Sequence, residues 1–439
     1  MEINNHKEVL EQSQPVSFRE AFWFWLKLGF ISFGGPVGQI AIMHTELVDK
    51  RRWISEKRFL HALNFCMLLP GPEAMQLATY VGWLLHKTRG AIVAGLLFIL
   101  PSLLLLILLA WLYLAYSDLP AVAAVLYGIK PAVVAIIFFA AYRIAKKTIK
   151  TPPFMVIALL AFVALYLLHI AFPLIILSAA LLGFIVGKSQ PSAAKAVSVT
   201  KAEPTAMGHT RFSWRHSATV LLVGLALWLL PMLSLYLTLG WDHSLTQMGW
   251  FFTKAAFLTF GGAYAVLPYV YQGAVSIYGW ITPVQMMDGL ALGESTPGPL
   301  IMIVAFVGFI AGYTEAFWGP DASLTAGVMA AILVSWFTFL PSFVLVLLGG
   351  PMIESSYQTA ALDAPLSGIS AAVVGVVFSL GLFFAEHVLW PEQAAIDWPS
   401  ALIMLFSLLA LIKLRLGIIP VLAISASVGV VLLLAGLAG

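Results

Sequence analysis

The chain has 439 residues, of which 61% are hydrophobic and 10% are charged, and its mean hydropathy is +0.97. This composition exceeds what a soluble core requires and predicts an all-α polytopic membrane protein. The net charge of +3 is small and spread over loops, so no nucleic acid is expected among its partners. The single cysteine, Cys66, excludes an internal disulfide and a cysteine-built metal site.

The chain alternates between apolar runs and short charged or Gly/Pro-rich breaks. The first seventeen residues mix acids and bases ahead of a hydrophobic stretch that contains Lys27, so a cleaved signal peptide is not expected. Runs of about 20 apolar residues, the length that spans ~30 Å of hydrocarbon, then recur along the sequence. They predict thirteen segments, near 20–40, 58–86, 89–116, 120–147, 152–169, 172–187, 217–239, 247–268, 285–312, 324–349, 362–387, 399–412 and 418–437.

One long polar linker, residues 188–216, divides the chain and is rich in Ser, Ala and Lys. Its composition predicts a flexible connection, which we assign to the cytoplasmic side. The predicted organisation is a first transmembrane repeat at 1–187, the linker, an extra transmembrane helix at 217–239, and a second transmembrane repeat at 240–439.

The two halves repeat each other in sequence. Residues 27–72 align without gaps on residues 254–299, an offset of 227, with 12 identities over 46 positions. Chance would give about 3 or 4 identities in a composition this biased, so the match indicates an internal duplication. The identical positions include a lysine, an FGG motif, a Trp-Ile pair and a PGP motif. Further on, LPS recurs at an offset of 240, at 100–102 and 340–342.

The loop charges indicate that the second repeat is inverted relative to the first. Seven predicted segments lie between any position of the first repeat and its equivalent in the second. An odd number of membrane crossings between them reverses the orientation of the second repeat in the membrane. Cytoplasmic loops collect Lys and Arg, so the basic loops of the first half are expected to be cytoplasmic and their acidic counterparts external. The basic set is His86, Lys87, Arg89, Arg143, Lys146, Lys147 and Lys150, and the acidic set is Glu315, Asp321, Glu386, Glu392 and Asp397.

The basic loop at 44–58 disagrees with this simple count, because it would be external if 20–40 and 58–86 each crossed once. Two re-entrant segments would place the loop inside and would keep the repeats inverted. An amphipathic interfacial helix that reaches into the headgroups is the other interpretation of the loop.

The FGG and PGP motifs predict breaks in helices at membrane depth. Irregular backbone is tolerated there only where protein or a water-filled cavity surrounds it. Proline suits the first position of a helix, so Pro72 and Pro299 are expected to begin half-helices whose free N–H groups point into a cavity. Such helix starts favour anions. Gly34 and Gly35, with Pro36, can supply a further start, and Gly261 and Gly262 another.

Lys27 and Lys254 occupy equivalent positions inside apolar helices, where an ionisable side chain is costly and marks a functional site. The structural alternative is a lysine that reaches the membrane surface or pairs with an acid such as Glu20. Recurrence of the lysine in both repeats favours the functional interpretation.

Two carboxylates flank the PGP motifs. Glu73 follows the first motif and Glu294 precedes the second by three residues, and both are candidates for proton coupling, with helix capping or a structural ion pair as the alternative. Ser295 and Thr296 can donate hydrogen bonds to an oxyanion or cap the next half-helix. His61 and Asp288 are equivalent positions expected near a membrane face, and we rank them second.

The sequence contains no H-E-x-x-H, G-x-S-x-G or P-loop motif and no paired Cys/His cluster, so an enzyme and a bound cofactor or metal are not expected. Without a nucleotide site, transport would depend on an ion gradient. A membrane-embedded enzyme and a passive anion channel are the rival interpretations.

The stretches FGGPVGQIAIMHTELVDKRRWISEKRFLHALNFCMLLPGPEAM and FLTFGGAYAVLPYV with GWITPVQMMDGLALGESTPGPL resemble the paired signatures of the chromate ion transporter family in its long, two-domain form. The resemblance implies export of chromate driven by the membrane potential or proton gradient, chromate resistance in a prokaryote, and a place in the inner (plasma) membrane. It also implies sulfate as a structural analogue. Ala263 stands where the first repeat has Pro36, so the two FGG elements need not contribute equally.

Together these patterns predict an inverted-repeat anion carrier whose site lies at the repeat interface. Its partners are chromate or sulfate, protons and the lipid bilayer, and a homodimer is a candidate assembly. The predicted substrate-binding residues are Lys27, Gly34, Gly35, Pro70, Gly71, Pro72, Lys254, Gly261, Gly262, Ser295, Thr296, Pro297, Gly298 and Pro299.

Overall fold

The computed structural model describes residues 16–33, 35–116, 119–189, 213–260, 262–355, 363–391 and 395–436. Within these ranges the chain is helical and contains no β-strand. The protein is therefore an all-α polytopic membrane protein, as its composition predicts. Most of the linker, residues 190–212, lies outside the described residues, as do Gly34 and Gly261.

The described residues form sixteen α-helices. They are α1 Phe18–Ile31, α2 Gly35–His44, α3 Glu56–Leu68, α4 Glu73–Tyr116, α5 Pro120–Thr148, α6 Pro152–Tyr166, α7 Phe172–Ser189, α8 Trp214–Leu239, α9 Ser244–Leu258, α10 Ala263–Tyr271, α11 Pro283–Ser295, α12 Ile303–Glu315, α13 Ser323–Ser355, α14 Asp363–Leu389, α15 Trp398–Ile412 and α16 Ile418–Leu434. π-helical turns at Thr45–Lys50 and Gln272–Ile277 extend α2 and α10, and 3₁₀ turns at Leu300–Met302 and Pro320–Ala322 precede α12 and α13.

Local capping fixes where the short helices begin. The Ser17 hydroxyl accepts a hydrogen bond from the Glu20 N–H at the start of α1, and Ser55 does the same for Arg58 at the start of α3. Thr282 and Gln285 form a capping box at the start of α11. Each cap satisfies N–H groups that a helix start leaves unbonded.

The first two apolar runs form hairpins that return to the end of the bundle where they begin. Arg51, which follows α2, lies 3.3 Å from the Glu20 carboxylate near the start of α1. His86, which ends the next run, donates a 2.9 Å hydrogen bond from Nε2 to the carbonyl of Val16. Residues near 16–20, 51 and 86 therefore lie at one end, which favours the interpretation of 20–40 and 58–86 as re-entrant segments.

α4 is not one straight rod. His86 and Lys87 have non-helical backbone angles, and the residues on either side pack against each other. A Cβ on Gly82 would lie 2.4 Å from the carbonyl oxygen of Gly90, so the chain reverses at the break. The part of α4 after Lys87 then runs on as a separate long helix.

The second repeat has the same layout at the same offset. The π turns at Thr45–Lys50 and Gln272–Ile277 are 227 residues apart, and so are the bounds of α3 and α11. The ring of Phe24 lies 4.9 Å from that of Trp53, and the equivalent Phe251 lies 5.6 Å from Trp280. The duplicated sequence therefore forms duplicated local structure.

α5 and α14 are equivalent helices, because they carry the related stretches GIKPAVV at 128–134 and GISAAVV at 368–374, again at an offset of 240. They pack against each other in opposite directions. Tyr127, near the start of α5, donates a 2.8 Å hydrogen bond to Asp397, which follows the end of α14. Phe138 and Phe378, near the middle of each helix, have ring centres 5.3 Å apart. α6 and α7 pack on α14, while α15 and α16 pack on α5. This antiparallel pairing is the arrangement that an inverted repeat requires.

Five described helices have the length and apolarity to cross a membrane: Glu73–Tyr116, Pro120–Thr148, Trp214–Leu239, Pro320–Met352 and Ala364–Leu389. The predicted segments 152–169, 172–187, 399–412 and 418–437 form shorter apolar helices of 15 to 18 residues. The count of thirteen segments and the domain boundaries stay predictions.

Candidate functional site

The breaks of the two repeats meet across the repeat interface. The N–H of Gly71 donates a 2.7 Å hydrogen bond to the carbonyl of Thr259, and the N–H of Gly298 donates a 2.8 Å bond to the carbonyl of Ser32. Ser32 and Thr259 follow α1 and α9 and directly precede the FGG motifs. Each PGP break is thus bonded to the FGG break of the other repeat, and the two bonds are related by the offset of 227.

The prolines of the PGP motifs occupy the irregular backbone between short helices. Pro70 and Pro72 lie between the end of α3 at Leu68 and the start of α4 at Glu73. Pro297 and Pro299 lie between the end of α11 and the 3₁₀ turn at Leu300–Met302. An α-helix therefore begins immediately after Pro72, as predicted, whereas one 3₁₀ turn separates Pro299 from the start of α12.

The PGP glycines pack closely against the LPS serines of the opposite repeat. A Cβ on Gly71 would lie 2.2 Å from Oγ of Ser342, and a Cβ on Gly298 would lie 2.5 Å from Cβ of Ser102. Ser102 and Ser342 are equivalent positions. Neither break has room for a side chain.

Two buried glutamines, Gln39 and Gln76, hold the PGP breaks, and the sequence analysis missed both. Nε2 of Gln76 donates a 2.8 Å hydrogen bond to the carbonyl of Pro70. Nε2 of Gln39 donates to the carbonyl of Gly298 and, at 3.3 Å, to that of Ser32. Both glutamines belong to the first repeat, and their equivalents in the second are valine and isoleucine. A glutamine inside an apolar run is itself a sign of a functional or structural role, because a buried amide must find hydrogen-bond partners.

Several buried polar atoms at the breaks have no hydrogen-bond partner among the described residues. They are Oγ of Ser32, Oγ of Ser102, Oε1 of Gln39 and Oε1 of Gln76. Buried polar groups normally find partners, and a cluster that lacks them needs an explanation such as a bound water or ion. Ser102 packs its side chain against Gly298, and Ser32 accepts the Gly298 hydrogen bond at its carbonyl, so both free hydroxyls belong to residues that contact the second PGP break.

The FGG glycines differ from the PGP glycines because they border open space. A Cβ on Gly35 or on Gly262 would meet no heavy atom within 4 Å. Gly35 begins α2, and Gly262 precedes α10, so each open position lies at a helix start with unbonded N–H groups. Gly34 and Gly261, the other predicted glycines of these motifs, lie outside the described residues.

The two predicted lysines have different surroundings. Lys27 is exposed on α1, and its charge acts on Glu46 in the π turn after α2. Lys254 is half-buried on α9, with Nζ 5.8 Å from the centre of the Trp250 ring. Each lysine lies five residues before the residue that bonds the opposite PGP break. Among the described residues, no hydrogen bond or ion pair joins either lysine to that break.

The two predicted carboxylates differ in burial. Glu294 is 5% exposed and accepts a hydrogen bond from the hydroxyl of Tyr264, which belongs to the first turn of α10. Glu73 is half-buried at the start of α4. Arg143 and Lys147, both exposed near the end of α5, are the cations whose charges act on Tyr264 and Glu73 respectively. The basic end of α5 thus acts on Glu73 and on the tyrosine that bonds Glu294.

Ser295 and Thr296 are bonded within their own helix. The Ser295 hydroxyl donates to the carbonyl of Leu292 and that of Thr296 donates to Gly293. Ser295 is exposed and Thr296 is buried. Both hydroxyls therefore bond the end of α11, the helix that precedes them, and not the next half-helix.

Apolar helices of membrane-spanning length, short broken helices, and polar breaks that meet between two repeats define a multi-pass membrane transport protein. The chain belongs to the chromate transporter family, whose sequence profile matches residues 19–184 and again residues 246–431. The two matches fall on the two repeats and omit the linker and all of α8.

Curated relatives cover most of the chain. A chromate transport protein of Cupriavidus metallidurans is 30% identical over 400 residues, which are 91% of this chain and 89% of the relative. A chromate transport protein of Pseudomonas aeruginosa is 32% identical over 374 residues, 85% of this chain and 82% of the relative. A probable chromate transport protein of Synechococcus elongatus is 28% identical over 94% of each chain. No solved structure matches the chain.

Proposed function

We propose that this protein is a secondary active transporter that exports chromate from the cytoplasm, driven by the proton-motive force. The observation that carries the proposal is the reciprocal pair of hydrogen bonds from Gly71 to Thr259 and from Gly298 to Ser32. These bonds bring together four helix interruptions from two repeats. The choice of chromate as the substrate rests on the relatives that are named chromate transport proteins.

Chromate is a tetrahedral dianion whose oxygens only accept hydrogen bonds, so its site must supply donors and positive charge. In the proposed mechanism, Lys27, Lys254 and the amides after Pro72 and Pro299 hold the oxyanion. The free helix starts at Gly35 and Gly262 add donors and the positive end of the helix dipole. Alternating access then exposes the site to one side of the membrane at a time.

Proton coupling is assigned to Glu294 or Glu73. Glu294 is the better supported of the two, because it is buried beside the second PGP break and bonds Tyr264 at the start of α10. Exchange of a proton at this carboxyl would change the charge next to the breaks.

The topology is part of the proposal. Inverted repeats would place the two sets of hairpins on opposite sides of the inner membrane, with the basic loops of the first half in the cytoplasm. The antiparallel packing of α5 against α14 supports this orientation.

The function is tested with everted membrane vesicles from cells that express the protein. Export from cells becomes uptake into such vesicles, so we expect energised vesicles to accumulate labelled chromate and an uncoupler to abolish accumulation. Vesicles without the protein are the control. Equilibration without accumulation would indicate a passive channel, and accumulation of labelled sulfate without chromate would indicate a sulfate carrier.

The unpartnered serines give a sharper test of the site. A hydrogen bond to a charged group is worth about 1.5–3 kcal/mol, so we expect Ser32→Ala and Ser102→Ala each to raise the half-saturating chromate concentration at least about tenfold. Thermal unfolding should change little, because neither hydroxyl has a partner among the described residues. Ser335→Ala is the matched control, since that buried hydroxyl bonds the Ala331 carbonyl of its own helix. Unchanged affinity in the double serine variant would contradict the site.

A further inference from the structure

A buried ion pair joins the two repeats away from the breaks. Nζ of Lys130 on α5 lies 3.4 Å from Oδ1 of Asp288 on α11, and the hydroxyl of Tyr113 on α4 donates a 3.0 Å hydrogen bond to Oδ2. The side chain of Asp288 is 2% exposed, whereas that of Lys130 is 25% exposed. The carboxylate is therefore enclosed, while part of the lysine remains accessible.

The pair is not duplicated in the other half of the chain. The position equivalent to Asp288 is His61 and the position equivalent to Lys130 is Ser370. Among the described residues, Lys130 and Tyr113 are the ionisable groups that act on Asp288. α12 and α16, which also pack on α11, bring no further charge to it. Asymmetry between repeats indicates a role that only one half of the protein performs.

Stability alone is a weak reason for such a pair. Removing two charges from water costs about as much as their attraction returns, and apolar residues of similar size often serve as well. Charged groups inside membrane proteins mark ion pathways. Asp288 lies seven residues before Ser295, at which α11 ends, so it is roughly 10 Å from the second PGP break along the helix.

We propose that Lys130 forms a second oxyanion-binding position on the transport path, apart from the breaks, and that Asp288 is the counter-ion that displaces the oxyanion from it. This inference rests on the proposed oxyanion transport. The accessible lysine ammonium donates hydrogen bonds to an oxygen of the tetrahedral dianion as the anion leaves the breaks. The Asp288 carboxylate, held in place by Tyr113, then forms its ion pair with Lys130 again, and the anion is released. No bond is made or broken other than hydrogen bonds and ion pairs.

The test uses the full chain, purified and reconstituted in liposomes, with labelled chromate and labelled sulfate as probes. Lys130→Met should raise the half-saturating concentration about tenfold or more, because it removes a charged donor. Asp288→Asn should lower both that concentration and the maximal rate about tenfold, because the lysine then keeps the anion. The double variant should resemble Lys130→Met. Lys413→Met, which changes an exposed lysine after α15, is the control.

A purely structural ion pair predicts the opposite pattern. Each single variant would then leave a buried, unpaired charge and lose folded protein, whereas the double variant would recover wild-type affinity and rate. That recovery would overturn the inference, and so would wild-type kinetics of Asp288→Asn. Should the neutral variants not fold, Lys130→Arg replaces them. Its forked donors should shift the half-saturating concentration by about threefold or more, and an unchanged value would again overturn the inference.

Transport by the wild-type protein distinguishes a failure of this inference from a failure of the proposed function. If the wild-type protein transports neither chromate nor sulfate, the proposed function fails and the inference fails with it. If it transports either anion while the Lys130 and Asp288 variants behave as the control does, only the inference fails.

Discussion

Gly71→Ala and Gly298→Ala are each expected to abolish chromate accumulation in everted vesicles. Both glycines have positive φ angles, +134° and +106°, a region in which an alanine is strained by about 1–3 kcal/mol. The new methyl group would also collide with Ser342 or with Ser102 at 2.2 and 2.5 Å. The backbone must therefore move.

That movement breaks the hydrogen bond that each glycine N–H makes to the opposite repeat. A displacement of about 1 Å at a site that depends on geometry costs roughly a hundredfold in rate, so we expect at least that loss. The measurement is initial chromate uptake at matched protein abundance in the membrane, with detergent solubility and monodispersity as checks on folding.

Gly293→Ala is the matched control, because Gly293 lies on α11 close to the same break. Its φ is helical, and a Cβ there would meet only Cβ of Ile303 at 3.8 Å, an ordinary contact. We expect nearly unchanged uptake. If Gly71→Ala and Gly298→Ala retained as much uptake as this control, the breaks would not form the transport site.

The breaks themselves were predictable because glycine and proline act locally. Proline removes a backbone donor and glycine permits positive φ, so the letters FGG and PGP predict interruptions without any knowledge of the fold. Their recurrence at one offset predicted that equivalent breaks serve a common site. The structure then adds that each PGP break bonds the FGG break of the other repeat, a pairing that no local rule specifies.

The side chains that hold the breaks were not predictable in the same way. Gln39 bonds the carbonyl of Gly298, which is 259 residues away in the chain. The sequence shows that a polar amide lies in an apolar run, but it does not show which group accepts the hydrogen bond of that amide. The same limit applies to Asp288, because nothing in the sequence indicates that its carboxylate is buried beside Lys130. Partners distant in sequence become visible only when the helices are packed.

Hydropathy also counts apolar residues without regard to where the chain turns. The runs at 20–40 and 58–86 are long enough to read as crossings, yet each contains two short helices separated by a break. The contacts of Arg51 with Glu20 and of His86 with Val16 show that these runs return to the end where they start. Tertiary contacts, and not hydrophobicity, distinguish a hairpin from a crossing.

Lys27→Met and Lys254→Met are also expected to abolish chromate export while the protein stays folded. A dianion in a low-dielectric site needs positive charge nearby, and electrostatic attraction grows as the dielectric constant falls. Each lysine lies one and a half helical turns before a residue that bonds a PGP break, Ser32 or Thr259. Methionine keeps a long flexible side chain and removes only the charge and its donors.

The measurement is chromate uptake into everted vesicles, together with chromate sensitivity of the cells that express each variant. Lys27→Arg and Lys254→Arg keep the charge and should retain part of the activity. Lys413→Met, in the exposed turn between α15 and α16, should export normally. Full activity of both methionine variants would end the assignment of these lysines to the site.

The unequal surroundings of the two lysines make the comparison between them informative. Lys254 is half-buried against Trp250, and its ammonium has lost part of its hydration, whereas Lys27 is exposed and near Glu46. If the repeats exchange roles during alternating access, the exposed lysine of one state becomes the enclosed lysine of the other, and both substitutions stop export equally. A loss confined to Lys254→Met would instead restrict the charge at the site to the second repeat, and Lys27 would be a surface residue paired with acids at the end of the bundle.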